Sequence, residues 1–154
     1  MYNDEIFGVL GYNIMWNRKE NYTLYGKDYE IILFIQGDEN ASPTETQRQA
    51  YVEFNKVKTL LQEDIEQKIF EYYQTVCKEY REMYDETADL YAPLVDNYLQ
   101  LKGYVKPMSI MISRTENERV VNILFKTKWD LELGIGIKIV NENIEFVGVE
   151  ADVL

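Results

Sequence analysis

Between Pro43 and Pro93 the chain contains neither proline nor glycine, and no other feature restricts its fold as tightly. Those two residues are the ones that most readily end a helix. Tyr51, Phe54, Val57, Leu61, Ile65, Ile69, Tyr72 (or Tyr73), Val76, Tyr80 and Met83 step by three or four and draw one apolar stripe. The stretch therefore reads as one long amphipathic helix. Lys56, Glu63, Glu66, Lys68, Glu71 and Lys78 fall on the remaining surface, where solvent is expected. Ser42-Pro43-Thr44-Glu45 predicts the start, with the Ser42 hydroxyl as N-cap, Pro43 at the first helical position and Glu45 reaching back. Carried to Tyr84, the helix would be about 60 Å long at ~1.5 Å per residue. A domain of this size has a radius of gyration of only about 15 Å, so the helix is expected to bend, end early or project.

Strand signals flank the helix on both sides. Tyr12, Ile14 and Trp16 alternate with Asn13 and Met15, the period of a half-buried strand. Asn17 to Asn21 is polar and reads as a loop. Tyr22–Tyr25 then pairs with Tyr29–Gln36 across Gly26-Lys27-Asp28. Ile31, Leu33 and Ile35 face one way and Ile32 and Phe34 the other, so that strand is expected to be central. Pro93 suits the first turn of a shorter helix, roughly 92–102, with Gly103 as its stop. Strands are expected at 108–113, 120–128, 135–140 and 144–149, as an antiparallel meander. The class predicted is α+β: one domain over 1–154, an antiparallel sheet of six to seven strands with one long and one short helix packed on it.

Composition removes several functional classes. The absence of histidine excludes Ser-His-Asp and Cys-His catalytic sets and histidine-based metal sites. The single Cys77 excludes an internal disulfide and lies in the helical pattern, where a buried, inert thiol is expected. A net charge of −11 repels phosphate backbones, so nucleic acid is not an expected partner, whereas a basic protein is. The last twenty-five residues hold six acids against one lysine. No apolar run has the roughly 20 residues a membrane span needs, and the start lacks a basic signal-peptide character; a cytoplasmic location is the expectation.

Two regions carry candidate chemistry. Trp129-Asp130-Leu131-Glu132-Leu133-Gly134-Ile135-Gly136 joins two β segments and places two acids beside a tryptophan and two glycines. It reads as a turn whose glycines relieve strain, or as an acid pair lining a pocket. Glu150 and Asp152 are expected to join Asp130 and Glu132 in space and concentrate negative charge at one sheet edge. The second region is the tyrosine group of Tyr72, Tyr73, Tyr80 and Tyr84, read as core between helix and sheet with one or two rings exposed for recognition. No metal or cofactor is implied.

The helix-end Phe70-Glu71-Tyr72-Tyr73, the block 129–137 and the closing Val147-Gly148-Val149-Glu150-Ala151-Asp152-Val153-Leu154 together resemble a family of small uncharacterised bacterial proteins of the domain-of-unknown-function kind. Some of its members resemble immunity partners of polymorphic toxins. Leu133 departs from the pattern, where a histidine is frequent, and this speaks against acid/base work by the block. The resemblance implies an α+β fold, no known activity and toxin neutralisation as a role. The function expected is therefore a non-enzymatic binding protein that engages a basic partner through Trp129, Asp130, Glu132, Glu150, Asp152, Tyr72 and Tyr73. The alternatives are a carboxylate hydrolase centred on Asp130 and Glu132, or a module that pairs its long helix in a homodimer.

Overall fold

In the computed structural model, which describes residues 1–154, the breaker-free stretch is one helix, α1, Glu45–Tyr84. It neither ends early nor projects: buried side chains occur from Gln47 to Cys77, and Tyr80 and Tyr84 are anchored beyond them. The start lies two residues later than Ser42 and Pro43 suggest. Thr44 is the N-cap; its hydroxyl accepts the Gln47 N–H, and Gln47 Oε1 accepts the Thr44 N–H. Two overlapping capping boxes are written in the sequence, and burial of Gln47 selects the second. Its Nε2 donates to the carbonyls of Gln36 (2.8 Å) and Ile112 (3.3 Å).

The sheet has eight strands in sequence order: β1 Tyr2–Asp4, β2 Gly8–Asn13, β3 Met15–Leu24, β4 Lys27–Ile35, β5 Val105–Ile112, β6 Val120–Thr127, β7 Ile135–Val140 and β8 Asn143–Gly148. This exceeds the six to seven expected, chiefly because the three-residue β1 carries too little pattern to be read. All neighbours are antiparallel except β4 and β5, which are parallel. A strand, a long crossover helix and a strand returning to the same end dictate that exception. β5–β8 form the expected meander.

Several local readings change. Tyr12 to Trp16 is no single strand: Ile14, at φ +68° and exposed, is the tip of the β2–β3 turn, and Tyr12 pairs across it with Trp16. Asn17 to Asn21 is not a loop but the middle of β3. Its polar residues have partners on α1: Arg18 donates to the Tyr51 hydroxyl at 2.6 Å, and that hydroxyl donates to Glu20. The β3–β4 hairpin turns on two residues, Tyr25 and Gly26, both at positive φ as a primed turn requires. Residues 92–102 form no α-helix. The short helix α2 is Ala88–Tyr91, and a 3-10 turn follows at Tyr98–Leu101. Ahead of Pro93 the chain leaves helical geometry, as a pre-proline residue prefers. The carbonyls of Pro93 and Val95 instead accept from Tyr73 and Gln74 on α1.

The core lies between α1 and one face of the sheet. Leu33, Ile110, Ile123 and Ile137 form one register row across β4 to β7, all buried, and Ile35, Ile112, Val121 and Ile139 form the next. Against them α1 sets Ala50, Phe54, Ile65, Ile69 and Tyr73. Met83, assigned to the stripe, is exposed, and Glu66, assigned to solvent, is buried. On the opposite face Gly136 leaves room for the C-terminal tail: a Cβ there would meet Val153 Cγ2 at 2.5 Å.

Candidate functional site

The turn from Thr127 to Gly134 is tied by its own side chains. Asp130 donates its N–H to the Thr127 hydroxyl (3.2 Å), and that hydroxyl donates to the Asp130 carbonyl (2.9 Å). Asp130 Oδ1 accepts the N–H groups of Glu132 and Leu133, both at 3.0 Å. Its Oδ2 accepts the Tyr80 hydroxyl at 2.5 Å. Burial alone would raise the Asp130 carboxyl, but the Tyr80 bond and the two N–H groups outweigh it and hold the acid below the ordinary carboxylate range. Tyr80 is pushed up in return, first by burial and then by the carboxylate. Gly134 closes the turn at φ +57°, and a Cβ there would lie 2.5 Å from the Phe125 carbonyl oxygen, so the glycine is required.

Trp129 and Tyr73 are core. Trp129 is 2% exposed with its ring 4.5 Å from that of Tyr73, and its carbonyl accepts the Tyr84 hydroxyl at 2.8 Å. Tyr73 is fully buried and donates to the Pro93 carbonyl. Beside it Cys77 is buried, its Sγ 3.8 Å from the same oxygen. These residues fix the end of α1 to the turn and leave no face for a ligand.

The remaining candidates gather at the surface. The tail returns to the turn through the Glu150 N–H, which donates to the Leu133 carbonyl at 3.0 Å. Glu150 Oε2 lies 3.2 Å from where a Gly134 Cβ would stand, and Asp152 lies beside Gly148. Tyr72 is half-buried; its hydroxyl is pushed up by burial first, then by the charges of Asp130 and Asp152. One tyrosine thus stands in the field of an acid from the turn and an acid from the tail. Glu132 projects into solvent with its neighbours Leu131 and Leu133.

Tyr72 also lines a groove of about 420 Å³ between α1 and the edge strand β8, with Lys68, Glu71, Thr75, Ile144, Glu145, Phe146 and Val147. Sequence reasoning missed the β8 half. Nothing in the spacing of Ile144 to Val147 shows that a helix seventy residues earlier runs alongside. The register shift opposite Lys138 and Ile139 leaves Glu145 as the extra residue of a bulge, a device that discourages further strands from pairing at an edge. What the groove offers is side chains: Tyr72 and a partly exposed Phe146, with Glu71, Glu145 and Asp152 around them.

No three of the His, Cys, Asp and Glu side chains converge as metal ligands would. No helix is long and apolar enough to cross a membrane. No curated protein and no solved structure matches the chain. Residues 6–154 match a family model described as a domain of unknown function, DUF6985, and the chain belongs to that family.

Proposed function

We infer that the protein is a non-enzymatic binding protein whose partner is a basic protein surface. The observation that carries this reading is the α1–β8 groove, where Tyr72 and Phe146 stand among Glu71, Glu145 and Asp152 with Lys68 as the one lining cation. Aromatic anchors inside a charged rim are the arrangement in which a few residues supply most of an interface's affinity. The acidic rim adds rate and specificity toward a partner of opposite sign. Glu132, Glu150 and the exposed Leu131 and Leu133 extend the same surface over the adjoining turn. The hydrolase reading needs a carboxyl with a raised pKa in a cleft. Asp130 instead spends its oxygens on Tyr80 and two N–H groups and is held low.

The partner class we assign is a basic toxin domain, with this chain as its immunity protein; the −11 charge supports the sign of the partner. The test is titration of a basic toxin domain, the product of a neighbouring gene where one encodes such a domain, against the purified chain. Binding that weakens as salt rises, and falls at least about tenfold in Tyr72→Ala and Phe146→Ala, is the expected result. Binding unaffected by both substitutions would overturn the placement of the site.

A further inference from the structure

β3 is longer than the strand beside it. Its register with β4 runs without a break from Trp16 to Leu24, whereas β2 pairs only with Met15 to Asn17. From Lys19 to Leu24 the β2 side of β3 therefore has no strand partner, over about 20 Å at ~3.3 Å per residue. An antiparallel strand bonds each neighbour through every second residue, so the remaining N–H and C=O groups of this stretch face outward. The Lys19 carbonyl accepts from Arg18 at 2.9 Å, and no other side chain or loop group bonds them. Edges of this kind are normally closed by a bulge, a proline or free charge. β8 has its bulge, but β3 has none, and its charges are engaged elsewhere. Lys19 pairs with Glu30 on β4 at 3.5 Å, and Glu20 accepts from Arg18 and Tyr51.

Two clefts lie along this edge. One, of about 410 Å³, is lined by Arg18, Lys19, Glu20 and Asn21 with Glu30 and Lys58. The other, of about 390 Å³, is lined by Asn21, Tyr22 and Thr23 with Lys58, Thr59 and Gln62. Successive residues of a strand point to opposite faces. A cavity that touches three or four in a row therefore lies against the edge of the strand, not over one face. Asn21 and Lys58 belong to both clefts, which join into one trough with α1 as its far wall.

Two donors in the trough have no acceptor. Tyr22 is 5% exposed, yet its hydroxyl has no hydrogen-bond partner; it lies beside the Gln62 amide without reaching bonding geometry. Buried hydroxyls are nearly always bonded. Gln62 is turned away, its Nε2 donating to Glu66 at 2.8 Å. Lys58 is half-buried and forms no ion pair, in a chain with 27 acids. Arg18, Lys19 and Lys58 stand against Glu20 and Glu30 along the trough, so it is cationic on a molecule of net charge −11.

We propose that the edge of β3 from Lys19 to Leu24 accepts an extended acidic peptide as an added strand, one of its carboxylate side chains set in the cleft lined by Lys58 and Tyr22. Strand addition takes its affinity from main-chain hydrogen bonds and its specificity from pockets for alternate side chains. The open edge supplies the first and the trough the second. The unpaired ammonium fixes the sign of the side chain, and the Tyr22 hydroxyl gives it a neutral donor. β3 lies far from β8 in the sheet order, and neither this reading nor the α1–β8 groove depends on the other.

The test is a two-dimensional NMR titration of the full chain with four heptapeptides in parallel. They are acetyl-Thr-Val-Thr-Glu-Thr-Val-Thr-amide, the same peptide with Gln or with Lys in place of Glu, and the Glu peptide with every backbone nitrogen methylated. The Glu peptide should give saturable shifts confined to residues 18–24 and to Lys58, Thr59 and Gln62, and should slow hydrogen exchange of the outward amides of 19–24. The Gln peptide should bind several-fold more weakly and the Lys peptide at least about tenfold more weakly, the loss expected when a charge-assisted bond is removed. The methylated peptide keeps the side chains but has no N–H to pair, and it should not bind. Lys58→Met should bring the Glu peptide to the level of the Gln peptide. Tyr22→Phe removes only the unpartnered hydroxyl; it should fold normally and bind the Glu peptide several-fold more weakly. Failure of the Glu peptide to saturate, equal binding of the Glu and Lys peptides, binding of the methylated one, or no effect of either substitution would overturn the proposal. So would protection of 19–24 in a peptide-free dimer, which would make the edge an interface between two copies of this chain.

Discussion

Replacing Asp130 by Asn separates a turn-forming carboxylate from a reactive one. The native side chain accepts three hydrogen bonds, two from backbone N–H groups at 3.0 Å and one from Tyr80 at 2.5 Å. In Asp130→Asn the remaining oxygen still serves the N–H groups, but the amide nitrogen faces the Tyr80 hydroxyl with a donor instead of an acceptor. A bond to a charged acceptor contributes about 1.5–3 kcal/mol, and partial exposure screens it, so a loss of about 1–2 kcal/mol is expected. Asp130→Ala removes all three hydrogen bonds and should cost about 2–4 kcal/mol. Tyr80→Phe should cost about 1 kcal/mol, and the double variant Asp130→Asn with Tyr80→Phe little more than Asp130→Asn alone, a coupling of about 1 kcal/mol. The pH dependence has a definite sign. The folded carboxyl lies below its ordinary value, so its stabilisation is complete above the unfolded value of about 4 and is lost as pH falls through the folded one. The gap between native protein and Asp130→Asn should therefore narrow as pH falls below about 4. Urea unfolding followed by tryptophan fluorescence reads both effects, since Trp129 is buried against Tyr73. An Asp130→Asn variant as stable as the native protein at neutral pH, or a gap indifferent to acid, would refute the reasoning.

Two further outcomes follow from the fold. Gln47→Leu keeps the volume but leaves the Thr44 N–H and the Gln36 carbonyl without this partner; at about 1–3 kcal/mol for each unsatisfied group, a loss of about 2–6 kcal/mol in urea unfolding is expected. Gly134→Ala combines a positive φ with a Cβ 2.5 Å from a backbone oxygen, so it should lower the melting temperature by several degrees, about 2 kcal/mol or more, while Gly26→Ala, in open space at a similar φ, should cost only about 1 kcal/mol.

The sequence carried most of what is periodic. Ten stripe positions and a breaker-free run located α1, because burial on one face leaves a repeat in the chain, and short apolar runs between turn residues located β4 to β8, of which β6 and β7 are buried on both faces. What it did not carry was set by partners distant in sequence. Arg18 and Glu20 look like loop residues until Tyr51 is seen to hold them in β3. Thr44 and Ser42 cap equally well on paper; the difference is the pair of carbonyls waiting for Gln47. Glu66 matches a solvated face by spacing and is buried because the Tyr25 N–H needs an acceptor. The parallel contact of β4 with β5 reflects the return of the chain along α1, which no local pattern records.

The candidate site divides along the same line. The block 129–136 stood out for its composition, and its structure explains that composition as turn chemistry: Asp130 ties the loop, Gly134 fits under a carbonyl, and Trp129 fills the core. The expectation that the tail acids approach the turn could be written down because both lie at ends of neighbouring strands, and Tyr72 feels one acid from each. The groove itself was illegible, because its two walls are α1 and β8 and neither is unusual alone.

The account rests on the groove between α1 and β8 as the working surface. Calorimetric titration of a basic protein domain, taken from a neighbouring gene where one encodes it, into native protein and into Tyr72→Ala, at low and at high salt, addresses it most directly. The account predicts binding to the native chain that weakens steeply with salt and is largely lost in the variant. Salt-independent binding, or equal affinity for both proteins, would contradict it.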